Sequence, residues 1–239
     1  MGKIFFLHVP KCGGTSLHEF ISLYMKKGKI CPYRSDVLCK HDPVLIYKYD
    51  FLSGHYNYQN TVACLDIRDY YQLTLIRNPK HRIVSMYNFA RSHDKSFIVK
   101  HSQYSDKPHC YEKYGMCYAT AKENSFNNFL KKDYNFLKKS MIKRFCNTES
   151  ASVDECLTVM QNFDHVGVLE KLDIFYKKIA SDLRIKNEYS IPHKVRAEDL
   201  HKNYTHMNKI KLKNASNMIK NSLLEDIVFE DDIIYRNYA

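Results

Sequence analysis

No stretch of this 239-residue chain is apolar over the length of a membrane span, and it opens without the charged and then apolar segments of a secretory leader. These absences predict a soluble chain; if it works in a secretory compartment, its anchor has been cut away. Among eight cysteines there is no Cys-x-x-Cys, which argues against a zinc module. Cys31, Cys39 and His41 fall close together, but with the loose spacing of coincidence rather than of a metal site. No helix-turn-helix, zinc-finger or RNA-recognition signature occurs, and no repeat or low-complexity segment. Gly-Lys-Ser and Gly-Lys-Thr are also absent, which disfavours a Walker-type nucleotidase. Glycine is scarce, with seven in all, so a pair of them side by side is informative.

What the chain does have is length enough for one domain over 1–239 with a proper core, plentiful aromatics, and a formal net charge of +11. A field of that sign draws polyanions: nucleic acid, acidic polysaccharide or an anionic surface. The sign alone does not choose among them. The basic clusters at Lys138-Lys139, Lys143-Arg144 and Lys209-Lys211-Lys213 read as solvated helix faces.

The paired glycines lie in the stretch around which the rest is organised. Ile4 to Val9 is short and continuously apolar, the pattern of a buried parallel strand. Pro10 ends it, Lys11 adds a full positive charge, and Gly13-Gly14 let the backbone turn tightly beside a ligand. Thr15 or Ser16 then caps the helix implied by Leu17, Phe20, Ile21 and Tyr24. A lysine, free N–H groups at a helix start and two hydroxyls make a phosphate cradle. Here the lysine precedes the glycines, the reverse of the nucleoside-triphosphate loop.

Beyond an irregular excursion over 26–50, a short strand ends at Ser53-Gly54-His55, and His55 is a candidate for acid–base chemistry. Tyr71 to Ile76 is a second buried strand, ending at Arg77, where open α/β sheets bind their ligands. Pro79 starts a helix over 80–91 with Ile83, Val84, Tyr87 and Ala90 on one face, and Ser85 lies on it. Arg77 and Ser85 can meet one phosphate if that helix packs back beside the strand. Residues 92–124 read as a long loop or insertion that walls an acceptor site. Helical patterns follow at 125–132, 134–145 and 152–163. A further strand at 164–169 carries His165 as a core histidine and leads into a helix over 170–183. Residues 186–204 form a basic loop and 207–238 a helical tail that packs back on the domain. Cys146 and Cys156 flank a polar turn and can form a local disulfide if the compartment is oxidising. The sum is an α/β chain: a three-layer parallel sheet flanked by helices.

These blocks resemble the carbohydrate sulfotransferases that use 3'-phosphoadenosine 5'-phosphosulfate, in particular the heparan sulfate and uronyl O-sulfotransferases. The resemblance implies their P-loop-like fold. It implies that Pro10 to Ser16, with Lys11, Cys12, Gly13, Gly14, Thr15 and Ser16, grip the 5'-phosphosulfate, and that Arg77 and Ser85 grip the 3'-phosphate. His55 corresponds to the proposed catalytic base, with Lys11 beside the departing oxygen. Relatives with a second histidine two positions earlier have Ser53 in its place here. Val166 to Glu170 matches a family block, with Leu169 in the usual threonine position, and Cys146 and Cys156 fall where relatives carry a disulfide. The loop around His193, Lys194 and Arg196 resembles a segment that closes over the nucleotide. Arg91 is an expected acceptor contact.

The expectation is therefore transfer of a sulfuryl group to a hydroxyl of a carbohydrate, an anionic polysaccharide such as a glycosaminoglycan or another glycan. It needs no metal and no nucleic acid, and a homo-oligomer is compatible with it. The resemblance points to the Golgi lumen if an anchor was removed, and otherwise the enzyme is cytoplasmic. Two other readings compete: a small-molecule or nucleotide kinase with a variant P-loop, and a non-catalytic polyanion-binding module.

Overall fold

The computed structural model describes residues 2–26, 28–92, 125–185 and 215–239. The expectations for 93–124, for the basic loop and for Lys209, Lys211 and Lys213 lie outside the described residues. Four parallel strands form one sheet in the order β2-β1-β3-β4: β1 Ile4–Leu7, β2 Phe51–Gly54, β3 Tyr71–Ile76 and β4 His165–Val168. The register sets Leu7 beside Gly54 and Thr74, and Ile76 beside Val168. Because every strand runs the same way, every carboxyl end reaches the same edge of the sheet. From β1 the chain goes first to β2 on one side and then to β3 on the other, so a topological switch point lies beside β1.

Alternation along β1 explains why both faces are covered. Ile4 and Phe6 face α1 (Gly14–Ser22) and α9 (Leu172–Asp182), packing with Leu17, Phe20, Ile21, Phe175, Tyr176 and Ile179. Phe5 and Leu7 face the other way, in a core with Tyr56, Met141, Ile142, Phe145, Cys156 and Met160. Each fully buried aromatic or branched side chain here contributes roughly 1.5–3 kcal/mol relative to exposure. This three-layer arrangement is the α/β sandwich read from the pattern.

Local chemistry sets the other elements. Asp42 accepts from the N–H of Val44, with Pro43 opening α2 (Pro43–Ile46), and Asn57 accepts from that of Asn60 to start α3 (Tyr58–Cys64). Ser152 and Glu155 make a reciprocal capping box at α8 (Val153–Met160). The start of α7 (Ser140–Cys146) is capped from far along the chain, where the buried carboxylate of Asp231 accepts from the Met141 N–H and the Ser140 hydroxyl. Ile234, Tyr235 and Tyr238 pack into the first core, so the tail returns as expected.

The chain falls into two compact units. The first is built from the described parts of Met1–Asn78, Lys139–Lys194 and Glu230–Ala239 and contains the sheet. The second comprises the described parts of Pro79–Lys138 and Val195–Phe229. Its core joins Ile83, Val84, Tyr87 and Ala90 of α4 (Pro79–Ser92) to Phe129 of α5 (Phe126–Lys132) and Leu137 of α6 (Tyr134–Leu137). Met218 of α10 (Ala215–Met218) and Leu224, Ile227 and Val228 of α11 (Ser222–Arg236) complete it.

Three expectations need correction. Cys146 and Cys156 are thiols joined by a hydrogen bond, and among the described residues the disulfide links Cys39 to Cys64 instead. Cys39, at the 3-10 turn Asp36–Lys40, meets the last residue of α3, which sequence spacing does not reveal. His41 stacks on Tyr33. His165 is not in the core but half-buried at the start of β4, with its Nε2 2.6 Å from the Asp182 carboxylate. Finally, neither Thr15 nor Ser16 caps α1: its cap position is Gly13, in the left-handed region at φ 82°, with no side-chain cap.

Candidate functional site

At the carboxyl edge of the sheet, each strand is followed at once by a residue with chemistry. After β1 comes the turn His8 to Gly13; after β2, His55; after β3, Arg77; after β4, Leu169 and Glu170. The turn is held open by unusual backbone. Lys11 adopts φ 66° and Gly13 φ 82°, and a side chain at Gly13 would meet Leu169. With no side-chain cap and no acidic residue in its first turn, α1 points the positive end of its dipole and its unsatisfied N–H groups at the turn. Thr15 is exposed beside it, Ser16 is buried with its N–H on the Gly13 carbonyl, and the Cys12 thiol is buried with Sγ 3.7 Å from the Pro10 carbonyl.

Arg77 reaches this turn directly, its Nη1 donating to the Lys11 carbonyl at 3.3 Å. Burial and then the neighbouring guanidinium of Arg77 push the Lys11 ammonium down to about 7. The next N–H in the chain, that of Asn78, is held by the Glu170 carboxylate at 3.2 Å, tying the end of β3 to the end of β4.

His55 sits across β1 from Arg77. Its Nδ1 is 2.8 Å from the His8 carbonyl oxygen. A carbonyl only accepts, so Nδ1 carries the hydrogen and Nε2 keeps its lone pair. The ring is exposed at the surface yet surrounded closely enough that burial lowers its pKa to about 4, with Arg144, Arg34 and Lys11 adding to the effect and the His8 carbonyl opposing it. The imidazole is therefore neutral at pH 7, with an unprotonated nitrogen available to take a proton.

The main chain at His55 is fixed from two sides. Its N–H donates to the Arg34 carbonyl at 2.8 Å, and the flat approach of that segment requires Gly54, where a Cβ would lie 2.4 Å from the Arg34 oxygen. From α7, Arg144 donates to the carbonyls of His55 and Tyr56, both at 2.9 Å. Arg144 is thus not a solvated helix face. Its neighbour Lys143 does pair at the surface, with Glu149, and Lys139 pairs with Glu230. Next to His55 on β2, Ser53 binds the ring of His18 at 2.9 Å. His18 is lowered to about 4 by burial and by Arg34.

The first unit therefore gathers Lys11, Cys12, Gly13, Gly14, Thr15, Ser16, His55 and Arg77 at one edge. Ser85 and Arg91 lie half-buried on α4 in the second unit, where Arg91 donates to Asn88 at 3.1 Å and lies over the Tyr87 ring. His193, Lys194 and Arg196 lie outside the described residues. The sequence reading missed His8, His18, Arg34 and Arg144. Arg34 and Arg144 stand in an irregular segment and a basic helix, with no local signal; His8, directly before the turn, had one in its place on the strand.

An anion at this edge meets an ammonium, a guanidinium and a helix amino terminus, with a neutral imidazole alongside. That combination suits transfer of an anionic group to a nucleophile that must lose a proton. No curated protein matches the chain. The family model described as the sulfotransferase family matches residues 2–237.

Proposed function

The chain belongs to the sulfotransferase family, and from that premise we propose that its donor is 3'-phosphoadenosine 5'-phosphosulfate and its acceptor a hydroxyl of a carbohydrate, in particular an acidic glycan. The observation that carries this reading is the approach of Arg77 to the Lys11 turn, which sets two cations and the start of α1 around one place beside His55. Lys11, Cys12, Gly13, Gly14, Thr15 and Ser16 would hold the 5'-phosphosulfate. Arg77 would hold the 3'-phosphate.

In the reaction the acceptor oxygen attacks sulfur in line and its proton passes to Nε2 of His55. The bond from sulfur to the bridging phosphate oxygen breaks, and the electron pair stays on that oxygen, where Lys11 stabilises it. Bound polyanion raises the pKa of both Lys11 and His55, so the lysine regains its charge and the imidazole becomes a stronger base as the site fills. This scheme requires no metal. The surplus of positive charge and the arginines around His55 favour an acceptor that is itself anionic. The Cys39–Cys64 disulfide favours an oxidising compartment such as the Golgi lumen.

Calorimetry with adenosine 3',5'-bisphosphate tests the nucleotide assignment, and transfer to a panel of desulfated glycosaminoglycans, other polysaccharides and small alcohols tests the acceptor. Binding is expected with or without magnesium. His55→Ala is expected to bind the nucleotide and transfer nothing, whereas Arg77→Ala weakens binding by about tenfold or more through loss of a charge-assisted pair. Normal turnover by His55→Ala, or an unchanged dissociation constant for Arg77→Ala, overturns the corresponding role.

A further inference from the structure

His8 is a buried imidazole, 6% exposed, that the scheme above does not use. Among the described residues neither of its ring nitrogens has a hydrogen-bond partner, so its place is not explained by polar pairing. Its surroundings are specific nonetheless. One face lies nearly parallel to Phe6, with ring centroids 5.6 Å apart and planes 13° apart. The His55 ring lies 4.2 Å away at 37°. The Cδ2–Nε2 edge presses on Gly14, where a Cβ would stand 2.1 Å from Cδ2 and 2.5 Å from Nε2. The paired glycines thus have separate reasons: Gly13 supplies the left-handed turn, and Gly14 makes room for the ring of His8.

We infer that His8 is a positioning residue for His55: its ring, wedged between Gly14 and the His55 imidazole, sets the direction in which the base faces and ties that direction to the glycine turn. The backbone carbonyl of the same residue fixes the tautomer. One residue therefore governs both the proton placement and the orientation of the base, and it does so from the first position beyond β1. Burial holds His8 well below its ordinary pKa, with His55, Arg34, His18 and Lys11 acting in the same direction, so the two adjoining rings, tilted by 37°, are neutral together and do not repel. The inference rests on the reading of His55 as the base.

Two readouts test it, one of them independent of activity. In nitrogen-15 spectra of the wild-type chain, His55 is expected as the Nδ1–H tautomer; in His8→Ala, which keeps the carbonyl but frees the ring to swing away from it, a second tautomer or exchange broadening is expected. In transfer assays His8→Ala is expected to lower kcat about 10- to 100-fold, as a small misplacement of a reacting group does, with little change in KM for the donor. His8→Phe, which keeps a flat ring without nitrogens, recovers most of that loss. Where His8→Ala does not fold, Gly14→Ala displaces the same ring and is read in the His55 spectrum alone, since Gly14 also belongs to the phosphate grip. In the double variant Gly14→Ala is expected to add nothing to the spectral change of His8→Ala, because the ring it displaces is gone. A wild-type kcat and tautomer in His8→Ala overturn the inference. So does a His8→Phe variant no better than His8→Ala, which would assign the work to the ring nitrogens. A chain that shows the tautomer change but transfers no sulfuryl group to any acceptor counts against the proposed function and not against the role of His8.

Discussion

Lys11 is held in two unfavourable states at once. Its φ of 66° lies in the left-handed region, which costs a residue with a Cβ about 1 kcal/mol, and its ammonium is desolvated and faces Arg77. Replacing it by glycine removes both burdens and, on the proposed mechanism, the group that stabilises the departing oxygen. Lys11→Gly is therefore expected to be more stable than the wild type and inactive. The sign of its pH dependence follows from the lowered pKa. Below pH 7 the lysine is protonated in both folded and unfolded chains, so the fold carries the full cost of the charge. Between about 7 and 10.5 the folded lysine has shed its proton and the cost fades. Urea titrations at pH 6 and pH 9.5 check this: the gain from Lys11→Gly is largest at pH 6, and an equal or larger gain at pH 9.5 contradicts it.

Among the elements, the 3-10 turn Asp36–Lys40 and α3 are joined by the Cys39–Cys64 bond, which closes a stretch 25 residues apart containing β2 and His55. By the chain-entropy relation a loop of that length stabilises the fold by about 3.5 kcal/mol. The paired replacement Cys39→Ser with Cys64→Ser is expected to lower the unfolding free energy by that order, and a reductant to do the same to the wild type. A reductant that lowers the stability of the variant as much as that of the wild type contradicts this assignment.

This bond also shows where the sequence was legible and where it was not. The strands, the glycine turn, α4 and the face of α9 were readable because each is set by residues close together in the chain. A continuous apolar run, a proline at a helix start and a 3.6-residue period are local signals. Cys39 with Cys64, Asp231 at the start of α7 and Arg144 on the His55 carbonyl join residues distant in the chain, and no spacing encodes them. The short α3 was missed because Asn57, its cap, follows so closely on the strand end. Lys11, His55 and Arg77 could be singled out because a parallel sheet brings all its strand ends to one edge. What braces them could not, since each brace comes from another part of the chain.

Across the whole molecule, buried groups of the two units shift the response to acid in opposite senses. In the first, His8, His18 and His55 all have pKa values lowered by burial. Between pH 6.5 and about 4 the unfolded chain takes up protons that these folded imidazoles refuse, so stability falls as pH falls. In the second, the buried Asp133 is raised to about 6, mainly by desolvation. Between about 6 and 3.8 the folded unit binds the proton more readily than the unfolded chain does, so this group adds stability over that span. Hydrogen exchange resolved by segment is expected to show protection at β1 and β2 decaying between pH 6.5 and 4.5, after correction for intrinsic rates, while α4 and α5 lose less. Uniform loss across both would contradict this assignment.

The parallel sheet has a working end and an idle one. At the idle end Tyr71 and His165 share the Asp182 carboxylate, and the exposed link at Gln161 and Asn162 leads into β4. Nothing assigned to chemistry stands there. A fluorophore, an affinity handle or a tether to a solid support belongs on that link, where it leaves the amino-terminal turn and its imidazole unobstructed.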